Sequence, residues 1–299
     1  MKTRTLKSDL LLLTTSAIWG FAFVAQRVGM EYIGPFLFNT LRFALGTLVL
    51  VPVYFYRKSL HLNRRTASNI PGEFRWYAAF LAGFILFAGA GLQQTGMIYT
   101  TAGKGGFITG LYVLLVPVLG LLQGKRSRQV TWLGAILAVV GLYLLSVTES
   151  WSMQKGDLLV LGSAFFWAMH VQLIDGLVDR MDAIELAVKQ FAVCAGLSLI
   201  VALLTEPILY QPIQGAAIPI LYAGALSVGI AYTLQIVGQR EAHPSHAAII
   251  MSLEAVFAVM GGALLLGERL TLREWLGATL MLSGMVASQL GQMRKSHQP

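Results

Sequence analysis

Apolar residues in this chain come in long unbroken runs, not in the one-sided stripe of a soluble amphipathic helix. A bilayer core takes about 20 predominantly apolar residues to cross as a helix. Ten such spans are expected: Leu10–Gly29, Phe36–Tyr56, Trp76–Thr95, Gly105–Leu122, Val130–Val147, Leu158–Leu177, Ala183–Leu204, Ala216–Val237, His246–Leu266 and Leu272–Leu290. The gaps between them are short, and no soluble domain fits in any of them. The opening stretch, basic and then apolar, has the look of a secretory signal. Its apolar run continues to about Gly29 and nine more follow, so it reads as the first span.

The gaps carry the charge, and the charge is one-sided. With the N-terminus inside, fifteen Lys and Arg fall in inner segments and four, Lys104, Lys155, Arg269 and Arg273, in outer ones. Positive residues stay on the cytoplasmic side. The expected protein is therefore a multi-pass cell (inner) membrane protein with both termini cytoplasmic. The basic run Arg57–Arg65 then lies beside anionic lipid as a topology signal.

The runs also repeat. Asp9 and Trp19 match Asp157 and Trp167 at an offset of 148 residues, and Leu92–Gly96 matches Leu234–Gly238. Gly124, Trp132 and Gly134 match Gly267, Trp275 and Gly277 at an offset of 143. The fold class expected is all-α and integral to the membrane, with ten transmembrane helices as two five-helix repeats, residues 1–150 and 151–299. Five is odd, so the second repeat enters the membrane inverted. Inverted repeats are the architecture of alternating-access carriers, with the solute site near the midplane where the repeats meet.

Composition narrows the function classes. Hydrophobic residues make up 56% and charged residues 12%, against about 25% charged in a soluble domain. The Lys and Arg behind the net charge of +8 cluster in the short gaps between apolar runs, which argues against a nucleic-acid partner. The lone Cys194 reads as a small packed hydrophobe. No HExxH, GxSG, metal-spaced Cys/His set or ATP-binding loop occurs, so neither a metal nor a cofactor is expected and an intramembrane enzyme is disfavoured. Absence of charged rings disfavours an ion channel. The expected partners are a small-molecule substrate, the lipid bilayer and protons as a candidate coupling ion. The chain is expected to be a monomer or homodimer.

The interior polar residues are the candidate solute pathway. Glu254 is a carboxylate in the middle of an apolar run. It should face the bundle interior, either as a proton-coupling site or as a hydrogen-bonded tie between helices. Gln93 and Gln235 hold equivalent positions and suit a polar solute or a helix–helix hydrogen bond. Gln94 points about 100° away from Gln93. Phe107 and Tyr112 are candidate aromatic walls, with packing as the alternative. Trp19 and Trp167 are symmetric and either line the pathway or pack the repeat interface. His170 is a second candidate proton site, or a hydrogen-bonded packing residue. Lys104 either meets an anion at the outer mouth or snorkels to the interface. Arg42, aligned with Gln190, reads as a structural counter-ion, and Lys189 as a group reaching its interface or pairing internally. The loop Glu268–Glu274 reads as an outer turn with local ion pairs.

Several of these segments also carry a family resemblance. They are the AIWG of the first span (Ala17–Gly20), Leu41–Phe43, the stretch Gly106–Gly120, and Ser252–Ala278 with its GER turn. Together they resemble the EamA-domain transporters of the drug/metabolite transporter superfamily, over nearly the whole chain. The resemblance implies a ten-helix exporter of amino acids, other metabolites or drugs. It also implies a central cavity walled by spans four and nine with one, three, six and eight around it, and adds weight to Trp19. More distant relatives carry nucleotide-linked or lipid-linked sugars, so a sugar flippase is the alternative. Lys125 stands where the motif has an acid, and Ala255 where proline often follows the glutamate.

Overall fold

The computed structural model describes residues 2–59, 72–122, 129–146, 153–178, 181–239, 250–251 and 253–293. It is all-helical, and each of the ten apolar runs is met by helix. Span one is Lys2–Gly29, span two Pro35–Ser59, span three Gly72–Gly96, span five Gln129–Ser146, span six Lys155–Val178, span seven Ala183–Thr205 and span ten Leu272–Met293. Among the described residues six helices are long and apolar enough to cross a membrane, in spans one, two, three, six, seven and eight. His246 and Val147, expected at the ends of spans nine and five, lie outside the described residues.

Three spans are less regular than their apolar patterns predict. Span four is two helices, Ala102–Gly110 and Tyr112–Leu122, with a turn at Leu111. Span nine is helical at 250–251, turns at Leu253 and resumes as Glu254–Leu266. At the offset of 143 these turns fall one residue apart in the repeat, so the two spans are interrupted at equivalent places. Span eight runs Ala217–Leu221, then a ten-residue π-helix Tyr222–Ala231, then Tyr232–Gln239. Its glycines account for where it widens. A Cβ on Gly224 would lie 2.9 Å from the Arg42 carbonyl oxygen and one on Gly229 would lie 2.8 Å from the Val49 side chain, so span two presses directly on its backbone. The connection before it holds a short helix, Tyr210–Gly215, that hydropathy did not predict.

The packing is symmetric under exchange of the repeats. Span one packs on eight and on nine; span six packs on three and on four; span two packs on eight, and seven on three. Spans two and seven, four and nine, and five and ten pack on their own equivalents. Spans five and ten show the inversion atom by atom. A Cβ on Gly141 would lie 2.5 Å from the Gly277 carbonyl oxygen, and one on Gly284 would lie 2.4 Å from that of Gly134. Later residues of one helix meet earlier residues of the other, so equivalent helices run antiparallel. Small residues let the two backbones touch, the usual means of close helix packing in lipid. The same exchange relates Gly96 against Val160 to Gly238 against Leu12.

One end of the bundle is tied by carboxylates that cross between repeats. Gly267 has φ +67°, and the Glu268 amide donates to the Gly262 carbonyl oxygen at 3.1 Å, a left-handed cap that ends span nine. This turn aims Glu268 back across bare Gly262 at the start of span four. Its carboxylate accepts from the Ala102 and Gly103 amides at 2.8 and 3.1 Å. Glu206 does the same for span two, accepting from Phe36 and Leu37 at 2.8 Å each, over Gly34. Helix N-termini have unpaired amides and a positive dipole end, which a carboxylate satisfies.

Candidate functional site

The interior polar residues gather where spans one, three, six, eight and nine face one another. Trp167 of span six donates from Nε1 to Gln93 Oε1 at 2.7 Å, and Gln93 Nε2 donates to Gln26 Oε1 at 2.9 Å. Gln94 Nε2 donates to the Gln26 backbone carbonyl at 3.1 Å. One chain of hydrogen bonds therefore joins spans six, three and one. Gln26 had no signal beyond being a polar residue in an apolar run, and it organises both glutamines. Gln94 has no exposure, and its second amide atom, Oε1, is enclosed without a partner among the described residues.

Trp19 holds the equivalent place to Trp167 but bonds differently. Its Nε1 donates to the Ser227 carbonyl oxygen at 3.1 Å, within the π-helix, and its ring meets Tyr232 edge-on at 5.5 Å. Tyr232 in turn packs on Phe191 at 5.1 Å, and Phe191 on its symmetry equivalent Phe43 at 5.8 Å. Gln235 is half-buried, and its Nε2 lies 3.9 Å from the Met251 sulfur. The two equivalent glutamines are thus not equivalent in bonding.

Glu254 is the first residue of the helix after the turn in span nine and is 5% exposed. Gly20 makes room for it: a Cβ there would lie 2.6 Å from the Glu254 carbonyl oxygen. No cation or hydrogen-bond donor meets its carboxylate among the described residues, so the expected helix tie is not made there. The hydroxyls of Tyr112 and Tyr232 lie within its electrostatic reach. Tyr112 opens the second helix of span four beside the other turn. Trp19 and Tyr232 meet directly, Trp19 packs on Leu12 and Met251 next to the turn at Leu253, and Gly20 beside Trp19 meets the Glu254 backbone.

The remaining expectations divide. His170 pairs with Gln190 at 2.8 Å and meets the Trp167 ring at 6.2 Å. Phe107 lies in the packed cluster of spans four, five, nine and ten with Leu111, Met281 and Met285. Lys104 does not snorkel; its Nζ pairs with Glu274 at 2.7 Å, joining spans four and ten. Glu268 makes no local pair but caps span four. Lys189 pairs with Glu185 at 2.7 Å and lies over Trp76. Arg42 is no counter-ion to any described carboxylate; it lies over the rings of Phe38 and Phe43. No group of three or more metal-ligating side chains occurs among the described residues.

Comparison with known proteins gives the same architecture a family. The EamA-like transporter family matches residues 6–147 and again residues 154–288. The chain belongs to that family, a branch of the drug/metabolite transporters, and is a multi-pass membrane transporter. An uncharacterized transporter of Archaeoglobus fulgidus is 30% identical over 96% of this chain and 87% of its own length. YoaV, an uncharacterized transporter of Bacillus subtilis, is 23% identical over 92% of this chain and 94% of its own. A known crystal structure shares the fold at a TM-score of 0.67 and 19% identity, over 97% of this chain and 99% of that one.

Proposed function

We propose, from membership of that family, that this transporter carries small amphipathic metabolites, amino acids or drugs out of the cell by alternating access. The repeats rock about the spans four and nine, with Trp19, Tyr112, Tyr232 and Glu254 on the solute path. The observation that carries the reading is the pair of turns within spans four and nine at equivalent places, Leu111 and Leu253, with a buried acid at one of them that meets no cation or donor among the described residues. Carriers place their sites where spanning helices are locally irregular at the repeat interface, and both turns tighten the helix while keeping right-handed backbone angles, φ −60° at Leu111 and −66° at Leu253. An acid inside a membrane bundle is costly and marks a functional site. Glu254 can be neutralised by a proton or by a cationic group of the solute, and either event changes what the interior tolerates. We assign it the coupling role and place both termini in the cytoplasm on the charge bias.

The test is uptake into inside-out proteoliposomes of a panel of amino acids and drugs, with and without an imposed pH gradient. Gradient-driven uptake by the wild type, lost in a folded Glu254→Gln variant, is the expected result. Uptake unchanged in that variant would remove the coupling role, and no uptake of any panel solute would remove the export reading.

A further inference from the structure

Arg42 is the interior charge that the reading above does not use. It lies in span two at 4% exposure. The described ion pairs are Arg57–Asp182, Arg75–Glu185, Lys104–Glu274 and Lys189–Glu185, and none includes it. Its Nε is enclosed with no hydrogen-bond partner, and no bond holds its terminal nitrogens among the described residues. Its guanidinium carbon lies 4.9 Å from the Phe43 ring centre and 5.8 Å from that of Phe38.

That arrangement is incomplete. Stacking on aromatic rings contributes about 0.5–2 kcal/mol. Burying an ion costs several kcal/mol unless an opposite charge and hydrogen bonds offset it. Two phenyl rings accept no conventional hydrogen bond, Nε is enclosed without a partner among the described residues, and a guanidinium stays charged in any protein setting.

Symmetry sharpens the point. The residue equivalent to Arg42 is Gln190, which is just as buried and has its partner in His170 of span six at 2.8 Å. At the offset of 148 that relates spans one and six, the equivalent of His170 is Ala22. By that correspondence, the position that supplies the partner of Gln190 in the second repeat holds a methyl group in the first. The stronger hydrogen-bonding group of the two has been left the emptier side. Around it lie Phe43, Phe191 and Cys194, with the partly buried Tyr232 and Trp167 at the edge of the same cluster. A run of ring contacts joins the guanidinium to the solute path: it lies over Phe43 at 4.9 Å, Phe43 meets Phe191 at 5.8 Å, Phe191 meets Tyr232 at 5.1 Å, and Tyr232 meets Trp19 at 5.5 Å.

We propose that Arg42 binds the carboxylate of the transported solute, which makes the substrate class an amphipathic organic acid, amino acids included. The planar guanidinium fork matches a carboxylate through two parallel N–H···O bonds. The apolar part of the solute then lies against the Phe191, Tyr232 and Trp19 rings. This rests on the transport reading only in placing Arg42 beside the solute path.

Equilibrium binding to the purified full-length protein in detergent tests it without requiring flux. The probes are 3-phenylpropionate, 4-methylvalerate and indole-3-propionate, each paired with its neutral amide. The wild type should bind at least one acid about tenfold more tightly than its amide, the scale of a charge-assisted bidentate bond. Arg42→Gln should erase that preference with little change for the amide, and Arg42→Lys should keep part of it. A structural arginine would instead weaken acid and amide alike. Equal binding of acid and amide by the wild type, binding of neither in all three pairs, or a parallel loss in Arg42→Gln would each overturn the assignment. The wild-type comparison decides even if Arg42→Gln does not fold. Acid-selective binding without flux would remove the transport reading and leave this site standing.

Discussion

The two halves of this protein share a scaffold and differ in what they put inside it. Gly134 and Gly141 of the first repeat meet Gly284 and Gly277 of the second in contacts that exchange of the repeats maps onto each other. Gly96 against Val160 is mirrored by Gly238 against Leu12. The polar interior has no such mirror. Glu254 corresponds to Leu111, Tyr112 to Ala255, His170 to Ala22 and Arg42 to Gln190. Even identical residues part company, since Trp167 donates to Gln93 while Trp19 donates to the Ser227 carbonyl oxygen. In the alternating-access cycle proposed above, a symmetric frame would give inward and outward arrangements of similar energy, which rocking between them needs. An asymmetric interior would then give the proposed solute one orientation and one set of partners.

The largest expected effect comes from breaking the frame. Gly141→Val and Gly277→Val should each abolish folded protein, because a Cβ at either meets backbone oxygen at 2.5 or 2.6 Å and backbone cannot give way as a side chain can. Gly196, whose Cβ would meet nothing within 4 Å, is the control, and Gly196→Ala should leave yield and melting unchanged. Size-exclusion profiles in detergent read all three. A folded Gly277→Val beside an unfolded Gly141→Val would break the equivalence of the halves.

The interior should respond unequally. Gln93→Ala removes two side-chain bonds and strands the Trp167 indole N–H and the Gln26 side-chain Oε1. The expected cost is about 1–3 kcal/mol, at the upper end of interhelical bonds in lipid. Gln235→Ala loses one long contact to a sulfur and should cost under about 0.5 kcal/mol. Thermal melting of both variants in the same detergent gives the comparison. Equal losses would make the halves alike where we read them as different.

The frame was the legible part of the sequence. Apolar runs of bilayer length can form little besides spanning helices, since lipid leaves backbone groups no other partner. The constant offsets named Gly134, Gly277 and the inversion before any coordinates. The interruptions at Leu111 and Leu253 were not legible, because a turn inside an apolar run leaves hydropathy unchanged. The π-helix Tyr222–Ala231 was hidden for the same reason, its cause being the pressure of span two on Gly224 and Gly229. Gln26 and Glu268 were misjudged or missed because their partners are remote in sequence, at 67 and 166 residues for Gln93 and Ala102. Arg42 was read as a counter-ion because an interior charge normally has its opposite nearby, and here the opposite charge is not among the described residues.

An effect smaller than the loss at Gln93 concerns the carboxylates that tie the repeats at one end. Glu268→Gln keeps the shape of the cap on Ala102 and Gly103 but removes the charge that complements the helix N-terminus. Such changes cost about 0.5–1 kcal/mol. Lys104→Met beside it breaks the 2.7 Å pair with Glu274, whose two side chains keep 11% and 18% exposure. A pair so placed should show a coupling of about 1 kcal/mol, above the exposed-pair range only by its partial burial. A double-mutant cycle of Lys104→Met with Glu274→Gln, read by melting, measures it. If both ties matter only while this end is closed, a solute that opens this end should erase the coupling while leaving the Gly196→Ala control untouched. Coupling that persists with saturating solute would make the ties permanent parts of the frame, and the rocking would then have to take place around them.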